Sequence, residues 1–414
     1  MTQTAKTTDF HLNAMTAFGD PLTDIDRATV GKDAPSAVRP YLALWGQIEP
    51  TPLVTLPGIA TRTGTGHVFL KNEALRLNQG SFKALGGAYT VMVLFRKLLE
   101  DHLGNPVGVA QLLSPTARNF ARSITVCCAT DGNHGKSVAA GARLLGLRSV
   151  ILVHEGVSPS RMAALGADEI IRVAGSYDDS VNESERIARE RNWLLVSDTS
   201  WPGYEETPAL VGQGYTILAD EALDQLEKLG HAPPTHVFLQ AGVGGFAGSI
   251  AGHLADRLGA GKVTTVIVEP DRAACLFASA REGKLTSIAP AGPTVMAMLE
   301  CYTPSLIAWR ILEKTANAFM TVSEDEAKEA LRVLAFPQAG DPAIVAGESG
   351  AAGLAGLLAL TRDKAAGERL RLGKDSRILV INTETATDPS SYEAIVGLSP
   401  QVVSQKGHLS CHPA

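Results

Sequence analysis

Short apolar runs alternate with amphipathic helical patterns along most of this chain, and this alternation constrains the possible fold most strongly. Residues 123–129 (SITVCCA) and 236–240 (HVFLQ) are mostly apolar, so both faces of each predicted strand should be buried. Strands of this kind, separated by helices, are typical of a parallel sheet covered on both faces. The sequence therefore predicts an α/β protein. Further strands are predicted at 149–154, 169–173, 194–197, 263–268 and 377–382, and helices at 134–146, 159–165, 178–191, 207–229 and 247–258.

The length of 414 residues exceeds what one simple core usually holds, so we expect two domains that share one site. The first 45 residues or so lack a clear period. We expect this segment to wrap the surface or to form a dimer contact.

Composition narrows the class of protein. A net charge of -6 argues against nucleic acid as a main partner. No uninterrupted apolar run of 18 residues occurs, so no membrane span is expected. The N-terminus has no signal-peptide core, and the five cysteines form no CxxC pair, which predicts reduced thiols in the cytoplasm. The tail holds His408, Cys411 and His412, but without a partner cluster it is predicted to be a frayed end, not a metal site.

Lys83 lies in an unusual local setting. It follows the small, turn-forming run NQGSF (78–82) and precedes an apolar helical segment. A lysine held there with a partly desolvated amine loses its proton more easily and can form a Schiff base with an aldehyde. Most lysines are solvated surface charges, so this motif needs support from the rest of the chain.

A glycine-rich loop follows the predicted strand 236–240 and precedes the helix 247–258. Its residues Gly242, Val243, Gly244 and Gly245 leave backbone N–H groups open to an anion at a helix start, which predicts phosphate binding. The spacing Gly242-x-Gly244-x-x-Ala247 also fits a dinucleotide fingerprint, with Glu269 at the end of the next strand. A nicotinamide-dependent oxidoreductase therefore stays open as an alternative.

Two more polar loops follow predicted strands. In residues 129–135 (ATDGNHG), Thr130 and the glycine N–H groups can gather around a carboxylate, and Asn133 offers a neutral donor to a phenolic oxygen. Helix capping by Asp131 or Asn133 is the plainer alternative. In residues 380–388, hydroxyl and amide groups could meet a ring nitrogen, although a plain polar loop explains them equally well.

Together these segments resemble the fold-type II pyridoxal-phosphate enzymes, the group of threonine dehydratase and tryptophan synthase β. Gly-Ser-Phe-Lys83 is similar to the group's Schiff-base motif, Asp131-Gly-Asn133-His134-Gly to its asparagine loop, and residues 242–248 to its phosphate loop. Within the group, the chain looks most like the diaminopropionate ammonia-lyase family. The similar segments span roughly 50–395 and include TPLV (51–54), DTSWPGY (198–204), QGY (213–215), PTHVFLQAGVG (234–244), GESGA (347–351) and INTE (381–384).

Some positions depart from that family's pattern. LNQGSFK (77–83) replaces the usual Gly-Leu-Asn-Ala-Phe-Lys, and NTETATD (382–388) replaces Ser-Thr-Glu-Gly-Asp-Thr-Asp. Phe246 and Ser249 also differ. The first two departures flank the expected cofactor site, so they bear on the substrate and not on the cofactor.

The resemblance implies roles for individual residues. Lys83 would hold pyridoxal 5'-phosphate and remove the α-proton of an L-amino acid, and the phosphate would lie on the loop of residues 242–245. The acid at Asp131 would serve the D-isomer, and Asp198 would lie near the substrate amine. The cofactor ring would be contacted by Asn133 and by Thr383, with Asn382 as the alternative to Thr383, and the substrate by Ser81, Thr130, Asp131 and His134.

The resemblance also implies an architecture and a reaction. A large cofactor-binding domain of residues 1–84 plus 206–414 would pack against a small domain of residues 85–205, with the cofactor between them and a homodimer as the working form. The expected reaction is α,β-elimination from 2,3-diaminopropionate to pyruvate and ammonia. The alternatives are dehydration of a β-hydroxy amino acid, the nicotinamide oxidoreductase, and a ligand-binding protein without catalysis.

Overall fold

The computed structural model describes residues 9–130, 132–337 and 340–410, without the side chains of residues 160 and 408–410. Asp131, Cys411 and His412 therefore lie outside the described residues. The strands are β1 (Phe10–Leu12), β2 (Leu53–Thr55), β3 (His67–Asn72), β4 (Thr125–Ala129), β5 (Arg148–His154), β6 (Glu169–Val173), β7 (Leu194–Leu195), β8 (His236–Gln240), β9 (Thr264–Pro270), β10 (Ala318–Val322) and β11 (Arg377–Asn382).

Helices separate most of these strands. They are α1 (Asp24–Val30), α2 (Ala34–Leu42), α3 (Pro57–Thr63), α4 (Lys83–Leu103), α5 (Pro115–Ala121), α6 (Asn133–Leu145), α7 (Pro159–Ala164), α8 (Tyr177–Arg191), α9 (Glu206–Lys228), α10 (Gly245–Leu258), α11 (Cys275–Glu282), α12 (Leu306–Thr315), α13 (Glu324–Ala335), α14 (Ala352–Arg362), α15 (Lys364–Arg369), α16 (Pro389–Val396) and α17 (Pro400–Ser410). Among the described helices, none is long and apolar enough to cross a membrane.

The strands form two sheets. The larger has the order β1-β10-β9-β8-β11-β3-β2, and the smaller has the order β6-β5-β4-β7. The pairs inside both sheets are parallel, as predicted, whereas β1 and β2 join the edges of the larger sheet in antiparallel orientation. The fold is thus the expected α/β class with parallel-rich sheets.

Helices cover both faces of the larger sheet, so that alternate residues of β8 pack into two different hydrophobic clusters. Val237 and Leu239 belong to the core cluster that includes residues of α4, α9 and α10, whereas Phe238 belongs to the cluster under α13 and α14. Alternate residues of a strand point to opposite faces, so a strand buried on both sides must be apolar throughout. This is the physical reason for the apolar runs in the sequence.

The two sheets take their strands from different segments of the chain, which is relevant to the predicted domain division. All strands of the smaller sheet lie between residues 125 and 195, and the strands of the larger sheet come from the segments before and after it. The predicted division at 84/85 and 205/206 remains a prediction. The N-terminal segment, which showed no clear period, contains β1, α1 and α2, and Asn13 donates hydrogen bonds to the carbonyls of Glu313 and Ala316.

Candidate active site

A cleft of about 830 Å³ lies where the C-terminal ends of β4, β8 and β11 meet the first residues of α4, α6 and α10. Carboxyl ends of parallel strands are where open α/β sheets bind ligands, and helix N-termini favour anions there. Among the residues predicted from sequence, those that line this cleft are Lys83, Thr130, Asn133, His134, Asp198, Gly242, Val243, Gly244, Gly245 and Thr383.

Lys83 is the first residue of α4, and its Nζ forms an ion pair with Oδ2 of Asp198. The Lys83 side chain is 23% exposed, so the amine remains open to the cleft. Burial works to lower the pKa of Lys83, but the Asp198 carboxylate outweighs it and raises the pKa above its usual value. Burial likewise works to raise the pKa of Asp198, and the His134 ring and the Lys83 ammonium together lower it. The free enzyme therefore holds a charged pair at this point.

His134 lies on the other side of Asp198, with its Nδ1 3.8 Å from Oδ2 of Asp198. Its Nε2 lies 2.7 Å from the carbonyl oxygen of Val196. A carbonyl oxygen only accepts, so Nε2 carries the hydrogen. Burial lowers the pKa of His134, and its buried Nδ1 has no hydrogen-bond partner. The ring therefore packs beside Asp198 with its unpartnered Nδ1 toward the carboxylate.

The glycine-rich loop leaves β8 and opens α10. Gly244 has φ +96, which L-residues with side chains rarely adopt, and a Cβ on Gly242 would lie 2.9 Å from Sγ of Cys301. A loop without side chains at these positions lets backbone N–H groups approach an anion closely. Because α10 runs on from Gly245 to Leu258, the anion would also lie at a helix N-terminus.

Thr383 lies just past β11, is 4% exposed and lines the cleft. Its Oγ1 accepts a hydrogen bond of 3.0 Å from Nε2 of Gln240. The neighbouring Asn382 points elsewhere, because its Nδ2 donates to Oδ1 of Asn72 and to the carbonyl of Val345. Of the two candidates for a ring nitrogen, only the Thr383 side chain lines the cleft.

Asn133 opens α6, and its Nδ2 donates to Oε2 of Glu384 at 2.5 Å. Burial, followed by the charge of Glu348, raises the pKa of Glu384 to about 7. Asn133 continues from the smaller sheet and Glu384 from the larger, so this hydrogen bond joins the two walls of the cleft. The second N–H of Asn133 stays available to a ligand oxygen.

The side chains of Ser81 and Thr130, both predicted to bind substrate, have structural partners instead. Ser81 is buried and pairs through its backbone with Glu384, and it is not among the lining residues. Thr130 lines the wall, but its Oγ1 accepts from the backbone N–H groups of Gly132 and Gly135, which shapes the loop. Asp131 is outside the described residues.

Sequence reasoning did not assign roles to several lining residues. Gln240 ends β8 and Glu384 follows β11 closely, and this position at a predicted strand end is the signal that could have identified them. Phe82 packs between Tyr215 and Phe246, with ring centroids 4.7 and 4.6 Å away. Contacts of this kind depend on tertiary packing. The other lining residues without a predicted role include Tyr177, Ala241, Met298, Leu299, Cys301 and Ser349.

The geometry fits a phosphorylated aldehyde cofactor. One lysine amine faces the cleft, a side-chain-free loop at a helix start can hold a phosphate, and neutral donors at Asn133 and Thr383 can hold a polar ring. Among the described residues, no cluster of His, Cys, Asp and Glu could hold a metal ion.

The sequence model of the family described as "Pyridoxal-phosphate dependent enzyme" matches residues 44–384. The chain belongs to this family. Pyridoxal phosphate is therefore its cofactor, and the resemblance drawn from the motifs is confirmed.

Individual proteins with similar sequences point to a subgroup of this family. The chain is 37% identical over 362 residues to diaminopropionate ammonia-lyase of Escherichia coli K12, covering 84% of this chain and 87% of the relative. It is 27% identical over 240 residues to a probable D-serine dehydratase of Sinorhizobium medicae, covering 55% of this chain and 52% of the relative.

A solved structure gives the same result. The crystal structure of the E. coli diaminopropionate ammonia lyase in complex with an aminoacrylate-PLP azomethine reaction intermediate superposes with a TM-score of 0.83 at 34% identity. The match covers 94% of this chain and 96% of that chain. Threonine deaminase isoform 2 of Solanum lycopersicum, at 16% identity and a TM-score of 0.67, shares the fold.

The nicotinamide alternative is wrong, and the structure shows why the fingerprint misled. Glu269 is fully buried, and its oxygens accept from the backbone N–H groups of Leu276 and Phe277 at 2.8 and 2.6 Å. It holds the start of α11 and is not open to a ribose hydroxyl. The glycine spacing alone cannot distinguish two kinds of phosphate ligand.

Proposed function

We propose that this protein is a pyridoxal-phosphate-dependent ammonia-lyase that converts 2,3-diaminopropionate to pyruvate and ammonia. The observation that carries the proposal is the 37% identity to a diaminopropionate ammonia-lyase across most of both chains. The cleft supports it, because the amine of Lys83, the buried acids Asp198 and Glu384, and the anion-binding loop of residues 242–245 converge there.

When bound, pyridoxal phosphate supplies an electron sink that stabilises negative charge on the substrate Cα. Lys83 would hold the cofactor aldehyde, and the N–H groups at Gly242, Val243, Gly244 and Gly245 its phosphate. Asn133 would contact the ring hydroxyl and Thr383 the ring nitrogen. These roles follow from the resemblance and from the places of the residues on the cleft wall.

Lys83 is the base in this proposal. In its uncharged form, which it has after release from the cofactor aldehyde, Nζ on the cleft wall would take the α-proton of an L-amino acid. Asp198 orients Nζ through the ion pair and, as a carboxylate with a lowered pKa, stays ionised. A negative charge beside the amine also favours a substrate whose β-group is a cation, as in a diamino acid.

The overall reaction balances as follows. The Cα–H bond and the Cβ–N bond break, and the β-nitrogen leaves as ammonia with a proton. The released enamine takes up water, so that its nitrogen leaves as a second ammonia and pyruvate remains. His134 packs against Asp198, so its role is to bind and position.

Asp131 is the proposed base for the D-isomer, acting from the face opposite Lys83. The residue lies outside the described residues, and the role rests on the resemblance alone. We further propose the domain division at 84/85 and 205/206, a cytoplasmic location and a homodimeric working form.

A dehydratase of β-hydroxy amino acids is the second candidate. Two observations favour it: the probable D-serine dehydratase relative, and a crystal structure of the E. coli lyase in complex with D-serine that superposes at a TM-score of 0.82. The departures at residues 77–83 and 382–388 flank the lining residues Lys83 and Thr383, so they can alter how the cleft distinguishes substrates.

The test compares wild type with Lys83→Ala, each loaded with pyridoxal phosphate and mixed with L- or D-2,3-diaminopropionate. We expect an absorption band of the lysine-bound cofactor and pyruvate release in wild type, and neither in Lys83→Ala. Lys97→Ala is the matched control, because Lys97 pairs with Glu206 on the exposed surface.

The outcomes separate the alternatives. Pyruvate from both isomers supports two bases, and pyruvate from the L-isomer alone removes the role of Asp131. A cofactor band with pyruvate from D-serine and none from diaminopropionate selects the dehydratase. Full activity in Lys83→Ala would overturn the mechanism.

A further inference from the structure

Gln240 is a buried amide on the cleft wall that the mechanism above does not use. It is the last residue of β8, is 2% exposed, and directly precedes the phosphate loop. A buried amide costs free energy unless its groups are hydrogen-bonded, so its partners report what it does.

The nitrogen end of the Gln240 amide is surrounded by acceptors. Nε2 lies 2.9 Å from the carbonyl of Ile381, 3.1 Å from that of Gly350 and 3.3 Å from that of Ser349. The reversed amide would place its oxygen against three carbonyl oxygens, which only accept. These three carbonyls therefore fix the orientation of the amide, independently of any ligand.

This orientation decides what the Thr383 hydroxyl can do. The same Nε2 lies 3.0 Å from Oγ1 of Thr383. An amide nitrogen donates and does not accept, so Thr383 accepts from Gln240 and its own hydrogen points elsewhere. None of the hydrogen bonds among the described side chains uses that hydrogen, and Thr383 lines the cleft. The hydroxyl is thus prepared to donate into the cleft.

We propose that Gln240 is a positioning residue that makes Thr383 a hydrogen-bond donor to the cofactor ring nitrogen and so keeps that nitrogen unprotonated. A protonated ring nitrogen would need Thr383 to accept a second hydrogen bond, which would leave the buried hydroxyl hydrogen without an acceptor. The inference rests on the proposed contact between Thr383 and the ring. It does not depend on which amino acid is the substrate.

The consequence concerns the kind of reaction. An unprotonated ring withdraws electrons less strongly, so negative charge stays nearer the substrate Cα and loss of the β-group is favoured over side reactions such as transamination. Gln240 would therefore act on reaction specificity through Thr383, without touching the substrate.

The experiment measures the ¹⁵N chemical shift of ring-labelled pyridoxal phosphate bound to the full chain. We expect the value of an unprotonated ring in wild type. In Gln240→Met, which keeps the size but removes the donor, the Thr383 hydroxyl no longer accepts from Gln240 and is free to accept from the ring. The pKa of the ring nitrogen should then rise by about one unit, a tenfold change in its protonated fraction.

A double-mutant cycle separates positioning from a structural effect. Thr383→Val removes the hydroxyl and should raise the ring pKa by itself, and Gln240→Met added to it should change nothing further. A merely structural role for Gln240 would add its effect to that of Thr383→Val. Thr383→Val also serves alone if Gln240→Met does not fold.

Three results would overturn the proposal: a protonated ring nitrogen in wild type, an unchanged shift in Thr383→Val, or additive effects in the cycle. Failure of the wild type to bind the cofactor would overturn this proposal and the proposed function together. An unprotonated ring in wild type, with the expected cycle and no pyruvate from diaminopropionate, would support Gln240 as positioning residue and reject the proposed substrate.

Discussion

Lys83 and Asp198 are 115 residues apart in the chain, and their charged groups meet at the centre of the cleft. The local motif around Lys83 was enough to single it out. Its protonation state was not readable from the motif, because a desolvated amine was expected and a paired ammonium is found. The difference arises from Asp198, whose charge outweighs the effect of burial.

Glu384 is a cleft residue whose titration should be visible near neutral pH. Its pKa in the folded protein is raised to about 7 from 4.5, mainly by burial and then by Glu348. As pH rises from 4.5 to 7, the unfolded chain loses the proton first, so the folded state loses stability over this window. Glu384→Gln cannot ionise, and its amide oxygen can still accept from Asn133. Between pH 4.5 and 8 the wild type should lose unfolding free energy as Glu384 ionises. The loss in Glu384→Gln should be smaller by about 1 to 3 kcal/mol.

Urea unfolding of the cofactor-free proteins at several pH values checks this expectation. Glu348→Gln is the control, because it keeps Glu384 and removes the neighbouring charge, so the window should move to lower pH. Equal pH dependence in wild type and Glu384→Gln would contradict the assignment.

The turn from β8 to α10 is the element that prepares the phosphate site. Gly244 needs φ +96, and a Cβ there would lie 3.0 Å from Leu276 and 3.1 Å from Ala308. Gly244→Ala should therefore lower the unfolding free energy by about 1 to 3 kcal/mol and weaken binding of pyridoxal phosphate at least tenfold. Equilibrium dialysis and urea unfolding measure the two effects.

Gly245→Ala is the matched control for this turn. Gly245 is the first residue of α10, its φ lies outside the positive region, and a Cβ there would meet only the carbonyl of Asp198 at 3.5 Å. Its unfolding free energy should change by less than about 1 kcal/mol. A cost as large as that of Gly244→Ala would show that backbone strain is not the cause.

At the scale of the whole molecule, a buried ionic cluster joins distant segments beneath the cleft. Arg76, 1% exposed, donates to both carboxylate oxygens of Glu73 and of Glu221, while Lys71 pairs with Glu221 and donates to the carbonyl of Thr51. The cluster ties the end of β3 to α9. Burial works to raise the pKa of Glu73, and Arg76 outweighs it so that the pKa is lowered.

Removing Arg76 should destabilise the folded protein, because the buried carboxylates of Glu73 and Glu221 would then have only Lys71 as a neighbouring cation. Arg76→Met should lower the unfolding free energy by about 3 to 5 kcal/mol. Arg62→Met, which breaks an ion pair with Glu329 near the surface, should cost less than about 1 kcal/mol. Equal losses in the two variants, measured by urea unfolding, would contradict the account.

The sequence by itself determined which segments became the central strands and which loops carry the chemistry. The predicted strands at 169–173, 236–240 and 377–382 coincide with β6, β8 and β11, because burial on both faces requires apolar runs that are visible locally. The strands β1, β2, β3 and β10 were not predicted, since strand formation depends largely on the strands and helices that pack beside a segment.

Which side chains meet depends on the three-dimensional packing of the chain. Asp198 reaches Lys83, Glu384 reaches Asn133, and Gln240 reaches Thr383 across separations of 115, 251 and 143 residues. The same packing turns Asn382 toward Asn72 and leaves Thr383 on the cleft wall. Local patterns record burial and turns, whereas charge pairing and hydrogen-bond direction depend on which distant segments become neighbours, within a sheet or between the two sheets, and no one segment encodes that arrangement.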